Sequence, residues 1–203
     1  MRVLQHATDW IMRLIWTNLL WLGFTLLGLI IFGIMPATVA LFAVTRKWSM
    51  KEFEFSIWKL FKETYFKEWK RSNKIGILFW LIGLILLFNL RVSEQMESAF
   101  SLYLYIFFIF LILIFSMMLI FFFPLYVHYD FSAKQYVKQS FIYSLVSLRS
   151  TILILVGLFM IGFLMVKMPG LLVFSMGVLP AYWISTICMK RFGYLERKFA
   201  TKA

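Results

Sequence analysis

The chain has 203 residues, 63% of them hydrophobic and 20% aromatic, with only 15% charged. An ordinary soluble domain is roughly 45–50% apolar and about 25% charged, so this composition excludes one. The net charge of +12 does not point to nucleic acid: basic residues of membrane proteins collect in cytoplasmic loops, and no recognised nucleic-acid motif accompanies the charge here.

The charges fall in a few blocks. They leave the uncharged runs Leu14–Thr45, Ile75–Leu90, Ser98–Tyr129, Ser150–Val166 and Met168–Met189. A membrane-spanning helix needs about 20 apolar residues, whereas a transmembrane barrel would show segments of about ten residues alternating in hydrophobicity. The expected fold is therefore all-α: a polytopic transmembrane helical bundle forming a single integral membrane domain over 1–203, with amphipathic interfacial helices on its cytoplasmic side. The first run is too long for a signal peptide and is expected to be retained. The lone Cys188 offers neither an intramolecular disulfide nor a metal cluster.

Residues 1–13 carry Arg2, Asp9 and Arg13 among Val3, Leu4, Trp10 and Ile11, the pattern of a short interfacial lead-in. The first run, Leu14–Thr45, is too long for one straight span across a hydrocarbon core of about 30 Å. Pro36 lacks an N–H, and Gly33 removes side-chain bulk just before it, so a bend is expected at 33–36. Two arrangements fit: one span at 14–36, kinked and continuing to 45, or a hairpin of two short helices. With no turn signal at 23–27, the kinked span is favoured.

Ser49-Met50-Lys51-Glu52 has the form of a capping box and predicts an amphipathic helix over 49–71. Met50, Phe53, Ile57, Leu60, Phe61, Tyr65 and Trp69 form its apolar stripe, and Glu63 and Lys67 make an i,i+4 pair. Such a helix tends to lie in the membrane interface. Lys59, Lys62 and Lys67 are its candidate residues for docking a partner.

Further spans are expected at 74–91, 98–127, 150–167 and 170–189. Lys74 and Arg91 snorkel at the ends of the first of these, and the loop 91–97, with Glu94 and Glu97, lies outside. Phe100, Tyr103 and Tyr105 suit an aromatic belt. Pro124 interrupts the long third run near its inner end. Ser132-Ala133-Lys134-Gln135 is a second capping box, opening an amphipathic helix over 132–148.

The first motif returns near the C-terminus. Gly177-Val178-Leu179-Pro180-Ala181 precedes Lys190, Arg191 and Phe192 at the spacing by which Gly33-Ile34-Met35-Pro36-Ala37 precedes Arg46, Lys47 and Trp48. Gly33, Pro36, Pro124, Gly177 and Pro180 are thus the structural hinge candidates. With five spans the basic residues divide seventeen inside to four outside, and with an initial hairpin nineteen to two. Both satisfy the positive-inside tendency, and both place the C-terminus in the cytoplasm.

Polar groups inside a bilayer are costly and mark where function is sought. Here they are Thr17, Asn18, Thr25, Asn89, Ser116, Ser175, Ser185 and Thr186, with no charged residue central in a span. Asn18 is expected to bond across helices and Asn89 to cap a helix end. His128 and Asp130, with His6 and Asp9, do not supply the closed set of three or four ligands that a metal needs. No hydrolase, phosphate-loop, dinucleotide or zinc-protease motif occurs. The expectation is a non-enzyme with no catalytic residue, cofactor or metal.

Asn18-Leu19-Leu20-Trp21-Leu22, the block Gly33…Pro36-Ala37…Ala40-Leu41…Arg46-Lys47 and the Phe-rich stretch Phe53–Phe66 resemble the YesL family of bacterial membrane proteins. The resemblance is specific over about 14–90 and diffuse beyond. It implies a protein of unknown molecular function in a Gram-positive plasma membrane, from a family often encoded beside carbohydrate-uptake and polysaccharide-degradation systems. By that resemblance the protein is an accessory to sugar uptake, with the lipid bilayer and a sugar transporter or regulatory membrane protein as partners. The alternative is a small transporter or channel in its own right. The resemblance carries over no site residues.

Overall fold

The computed structural model describes residues 2–96 and 100–200, with side chains from 8 to 96 and 100 to 197. Glu97 and Ser98 lie outside the described residues, as do the side chains of Arg2, Val3, Leu4, His6, Lys198 and Phe199. The helices are α1 (Arg2–Leu27), α2 (Ile34–Ser49), α3 (Ile57–Gln95), α4 (Ser101–His128), α5 (Ala133–Val146), α6 (Leu148–Lys167), α7 (Pro169–Ser175) and α8 (Val178–Ala200). The fold is an all-α bundle. Four of its helices, α1, α3, α4 and α6, are long and apolar enough to cross a membrane. The pair α7–α8, bent by 64°, makes a fifth if counted as one broken span.

The first long run is not one kinked span. It is a hairpin, and the reversal lies at 28–33, between the two positions considered for it in the sequence. Leu29 and Ile30 take left-handed backbone (φ 54° and 65°), and the Ile30 N–H bonds back to the Thr25 carbonyl at 3.0 Å. Two glycines then let the strands of the turn touch: a Cβ on Gly28 would sit 2.2 Å from the Gly33 Cα. Trp10 meets Trp48 at 5.6 Å between ring centroids, and the Trp21 indole donates to Thr38 at 3.2 Å, so α1 and α2 run antiparallel.

Pro36 is therefore not a hinge. It is the third residue of α2, inside the first turn, where its missing N–H has no helical partner to lose. Pro180 occupies the same place in α8, and the Ala37 and Ala181 amides bond the Gly33 and Gly177 carbonyls at 3.0 and 3.2 Å. The repeated motif starts two helices. Trp21 touches Thr38 and Gly177 near those starts. Further along, the Thr45 and Ser185 hydroxyls meet at 2.9 Å and those of Ser49 and Thr186 at 3.3 Å, so α2 and α8 run side by side in the same direction. Pro124 does not end its helix either; α4 continues through it to His128.

The expected helix over 49–71 is displaced. Ser49 ends α2, and the chain leaves it through Lys51 at φ 64°. The N-cap is Ser56, whose hydroxyl accepts from the Lys59 N–H at 3.3 Å. From Ile57 the helix continues into the apolar run as far as Gln95, because Ser72-Asn73-Lys74 contains no breaker. The expected amphipathic helix and the 74–91 span are thus one continuous helix. Asn89, inside that helix, donates back to the Ile85 carbonyl rather than capping an end. The capping box at Ser132 does form, with its backbone N–H bonding the Gln135 side chain at 2.9 Å.

α2 is the buried axis. Ala37, Val39, Ala40, Val44 and Trp48 are all 1% exposed or less. The small residues among them allow the close helix approach on which packing in lipid depends. One core cluster joins α2 to α1, α3, α4, α6 and α8, and a second joins it to α3, α4 and α5.

The hairpin fixes a testable topology. Asp9 and Lys51 lie at the same end of it, since Trp10 packs on Phe53 at 5.5 Å and Arg13 donates to the Phe53 carbonyl. Single cysteines at Asp9 and Lys51, in a Cys188→Ala background, should react with an impermeant maleimide from the same side of the membrane. Labelling from opposite sides would restore the single kinked span.

Candidate functional site

Two groups of described polar side chains stand out: one at the end of the bundle where α2, α4 and α8 carry their charges, the other at the break between α7 and α8. At the first, α3, α4 and α5 surround a pocket of about 430 Å³ floored by Val39 and Ala43 of α2. Arg71 of α3 pairs with Asp130 at 3.2 Å and also donates to the Phe131 carbonyl. Its guanidinium lies 5.5 Å from the ring centres of both Tyr126 and Tyr136, which stack on one another at 4.8 Å. The Tyr126 hydroxyl donates to Glu68 at 2.6 Å. Burial raises the Tyr136 phenol above its ordinary pKa, and its hydroxyl donates to the Tyr129 carbonyl at 2.7 Å.

Beside this pocket, Arg46 donates through Nε to His128 Nδ1 at 3.2 Å, and His128 Nε2 faces Glu196 at 3.5 Å. An Nδ1 that accepts leaves the imidazole proton on Nε2, directed at the carboxylate. The Tyr129 hydroxyl donates to the same Glu196 oxygen at 2.8 Å. Burial first, and then that bond, raises the Tyr129 phenol well above its usual value. The ends of α2, α4 and α8 are thereby tied together. His128 belongs to this tie, and among the described residues no group of three or more His, Cys, Asp or Glu is placed to hold a metal.

At the break, Asn18 of α1 does more than bond across helices. Its Oδ1 accepts from the Gly177 and Val178 amides at 2.9 and 3.2 Å, and its Nδ2 donates to the Val173 carbonyl at 2.8 Å. One fully buried side chain therefore caps the start of α8 and engages α7. Gly177 is required here, since a Cβ would lie 2.9 Å from the Trp21 ring. Discontinuous helices hold substrate in many transporters. This one is sealed by Asn18 and Trp21.

The docking candidates Lys59, Lys62 and Lys67 are all exposed on the first half of α3. Lys59 and Lys62 share a surface depression with Trp58, Glu63 and Phe66. Lys67 sits round the helix, on the rim of the polar pocket. Among the described residues the Glu63–Lys67 pair is not one of the ion pairs formed. Sequence reasoning missed Arg46, Glu68, Arg71, Tyr126 and Glu196, which are scattered in the chain. Asn18 was visible as a lone amide in an apolar run, but its partners were not.

Fold and polar sites together define a multi-pass α-helical membrane protein. A family profile described as "Protein of unknown function, DUF624" matches residues 14–90. The uncharacterized protein YteU of Bacillus subtilis (strain 168) is 42% identical over 166 residues, covering 82% of this chain and 74% of the relative. The uncharacterized proteins YesV (34% identical; 84% of this chain, 82% of the relative) and YesL (29%; 96% and 92%), from the same strain, are also similar. The chain belongs to this YesL-like DUF624 family of uncharacterized proteins. No solved structure matches it.

The Tyr126–Glu68 bond gives a direct test of the pocket. A hydrogen bond to a charged acceptor is worth roughly 1.5–3 kcal/mol, less where the acceptor is partly exposed. Tyr126→Phe should lower stability by about 1–2 kcal/mol in a detergent unfolding assay, and an unchanged transition would show that the bond is idle.

Proposed function

We propose that this protein is a non-enzymatic accessory to carbohydrate uptake or its regulation in a bacterial plasma membrane, acting by docking a membrane partner on the first half of α3. The observation that carries the docking is the form of α3. Lys59 and Lys62 stand exposed beside the exposed rings of Trp58 and Phe66, and Lys67 is exposed further round the helix. The helix bearing them is continuous with an apolar half able to lie in the bilayer, so contact at one end is mechanically linked to the membrane-embedded body. The carbohydrate connection rests on the family resemblance alone, which implies a family often encoded beside carbohydrate-uptake systems.

The bias of basic residues supports a cytoplasmic location for this half of α3 and for the C-terminus. With α1 and α2 as a hairpin, the N-terminus falls on that side too. A small transporter is the second reading, favoured by the broken α7–α8 pair. It requires the seal made by Asn18 to open, and the docking reading does not.

The test is capture from native membranes. Wild-type protein, mildly crosslinked, should bring down a membrane partner belonging to a sugar-uptake system. The triple variant Lys59→Glu, Lys62→Glu, Lys67→Glu should lose it while its stability stays within about 0.5 kcal/mol, as exposed substitutions usually do. Purification of the wild-type chain alone, or a variant that still captures the partner, contradicts docking. A partner unrelated to sugar uptake leaves docking intact and removes the carbohydrate assignment.

A further inference from the structure

A second pocket, of about 430 Å³, lies between the start of α6 and the later turns of α8. Its charged lining is wholly basic: Arg149 from α6, and Lys190 and Arg191 from α8. We infer that this pocket binds a phosphate group, and that a membrane phospholipid carries it. This goes beyond the docking proposed above and does not depend on it.

The charges here are unbalanced. In the pocket beside α3, cations meet acids: Arg71 pairs with Asp130, and Glu68 shares the lining with Lys67. Around Arg149, Lys190 and Arg191 no acid lines the space, and among the described residues none of the three enters an ion pair. Like charges gathered about one space repel, and an anion between them replaces repulsion with attraction. Basic residues collect at the cytoplasmic ends of spans without any ligand, but that tendency does not position them. Arg191 is positioned. Its Nε donates to the Ser147 hydroxyl at 3.1 Å, and its guanidinium lies 5.5 Å from the Tyr194 ring centre. Those contacts orient the group and leave its two terminal nitrogens to donate, the fork that grips a phosphate by parallel hydrogen bonds. Ser150, half-buried in the same lining, adds a hydroxyl.

The rest of the lining selects among phosphates. Leu153, Ile187 and the Trp183 ring adjoin the cations. Trp183 is fixed between the two helices: its indole donates to the Leu153 carbonyl at 3.2 Å, and a Cβ on Gly157 would lie 2.0 Å from its Nε1. From Leu153 an exposed apolar stripe continues along α6 through Val156, Met160 and Phe163, three and four residues apart. α6 is one of the helices able to cross a membrane. The site therefore has a cationic head and an apolar wall that runs on into a face suited to lipid. A free phosphate or a sugar phosphate would leave that wall in water. An anionic phospholipid matches both parts, as in other basic pockets between helix ends.

The experiment is native mass spectrometry of the full chain released from nanodiscs of phosphatidylglycerol and phosphatidylethanolamine in equal amounts. Wild type should retain one phosphatidylglycerol in preference to phosphatidylethanolamine, whose amine offsets its phosphate. Arg149→Gln with Lys190→Gln should weaken that retention about thirty-fold, the effect of removing two cations beside an anionic lipid. Lys134→Gln with Lys138→Gln makes the same charge change at exposed positions of α5 and should retain lipid like wild type. The charge-keeping swap Arg149→Lys with Lys190→Arg should keep most of the retention. The inference is overturned by equal loss in the two Gln pairs, by no loss in either, or by equal retention of the two lipids. Loss in the swap as large as in Arg149→Gln with Lys190→Gln overturns it as well. Inorganic phosphate and glycerol 3-phosphate, added in excess, separate the sources: neither should displace the lipid. Displacement by either would keep the phosphate site and overturn the phospholipid as its carrier.

Discussion

A helix broken inside a bilayer leaves amides and carbonyls that water cannot reach, and each must find a partner in the protein. The α7–α8 break meets that demand through one side chain. Asn18 accepts from the first amides of α8 and donates to a carbonyl of α7, and by doing so it fastens α1 to both. Much of the packing is consistent with this tie. Trp21, one turn further along α1, closes over Gly177 and reaches Thr38 of α2. From there α2 and α8 lie side by side, joined by the hydroxyl pairs Thr45–Ser185 and Ser49–Thr186. The same two helices end in the charged tie of Arg46, His128 and Glu196.

The molecule is polar at one end and greasy along its flanks, and the two parts are built differently. At the polar end, long side chains from five helices satisfy one another across short distances, and α2 is sealed in their midst. Along the second half of α3, the first half of α4 and most of α6, the large apolar side chains are predominantly exposed, as suits helices whose solvent is lipid. α3 belongs to both regions, which is why its unbroken length matters. A force or charge acting on Lys59 or Lys62 acts on the same helix that carries Gly83 and Leu87.

The helical membrane class was legible from composition and from the uncharged runs, because the bilayer imposes length and apolarity on a span whatever its partners. The Ser132 capping box was legible because both of its halves are local. The hairpin was not. Its turn uses Leu29 and Ile30 in left-handed backbone, which no turn signal announces, and it closes by contact between Gly28 and Gly33, five residues apart. Pro36 misled for a related reason: a proline bends a helix only from its interior, and the turn before it makes residue 36 part of a first turn. Ser49 carried a capping signature, yet its hydroxyl bonds the Thr45 carbonyl and it ends the preceding helix, and Ser56 took the role. The polar pocket was invisible because Arg71, Tyr126 and Tyr136 meet only through tertiary packing.

The central claim is that Asn18 seals the α7–α8 break. Hydrogen–deuterium exchange of the peptide containing Gly177 and Val178, in nanodiscs, tests it most directly. The wild-type amides should be protected, and Asn18→Ala should speed their exchange about ten-fold for each 1.4 kcal/mol of protection lost. Protection unchanged in Asn18→Ala would contradict the account.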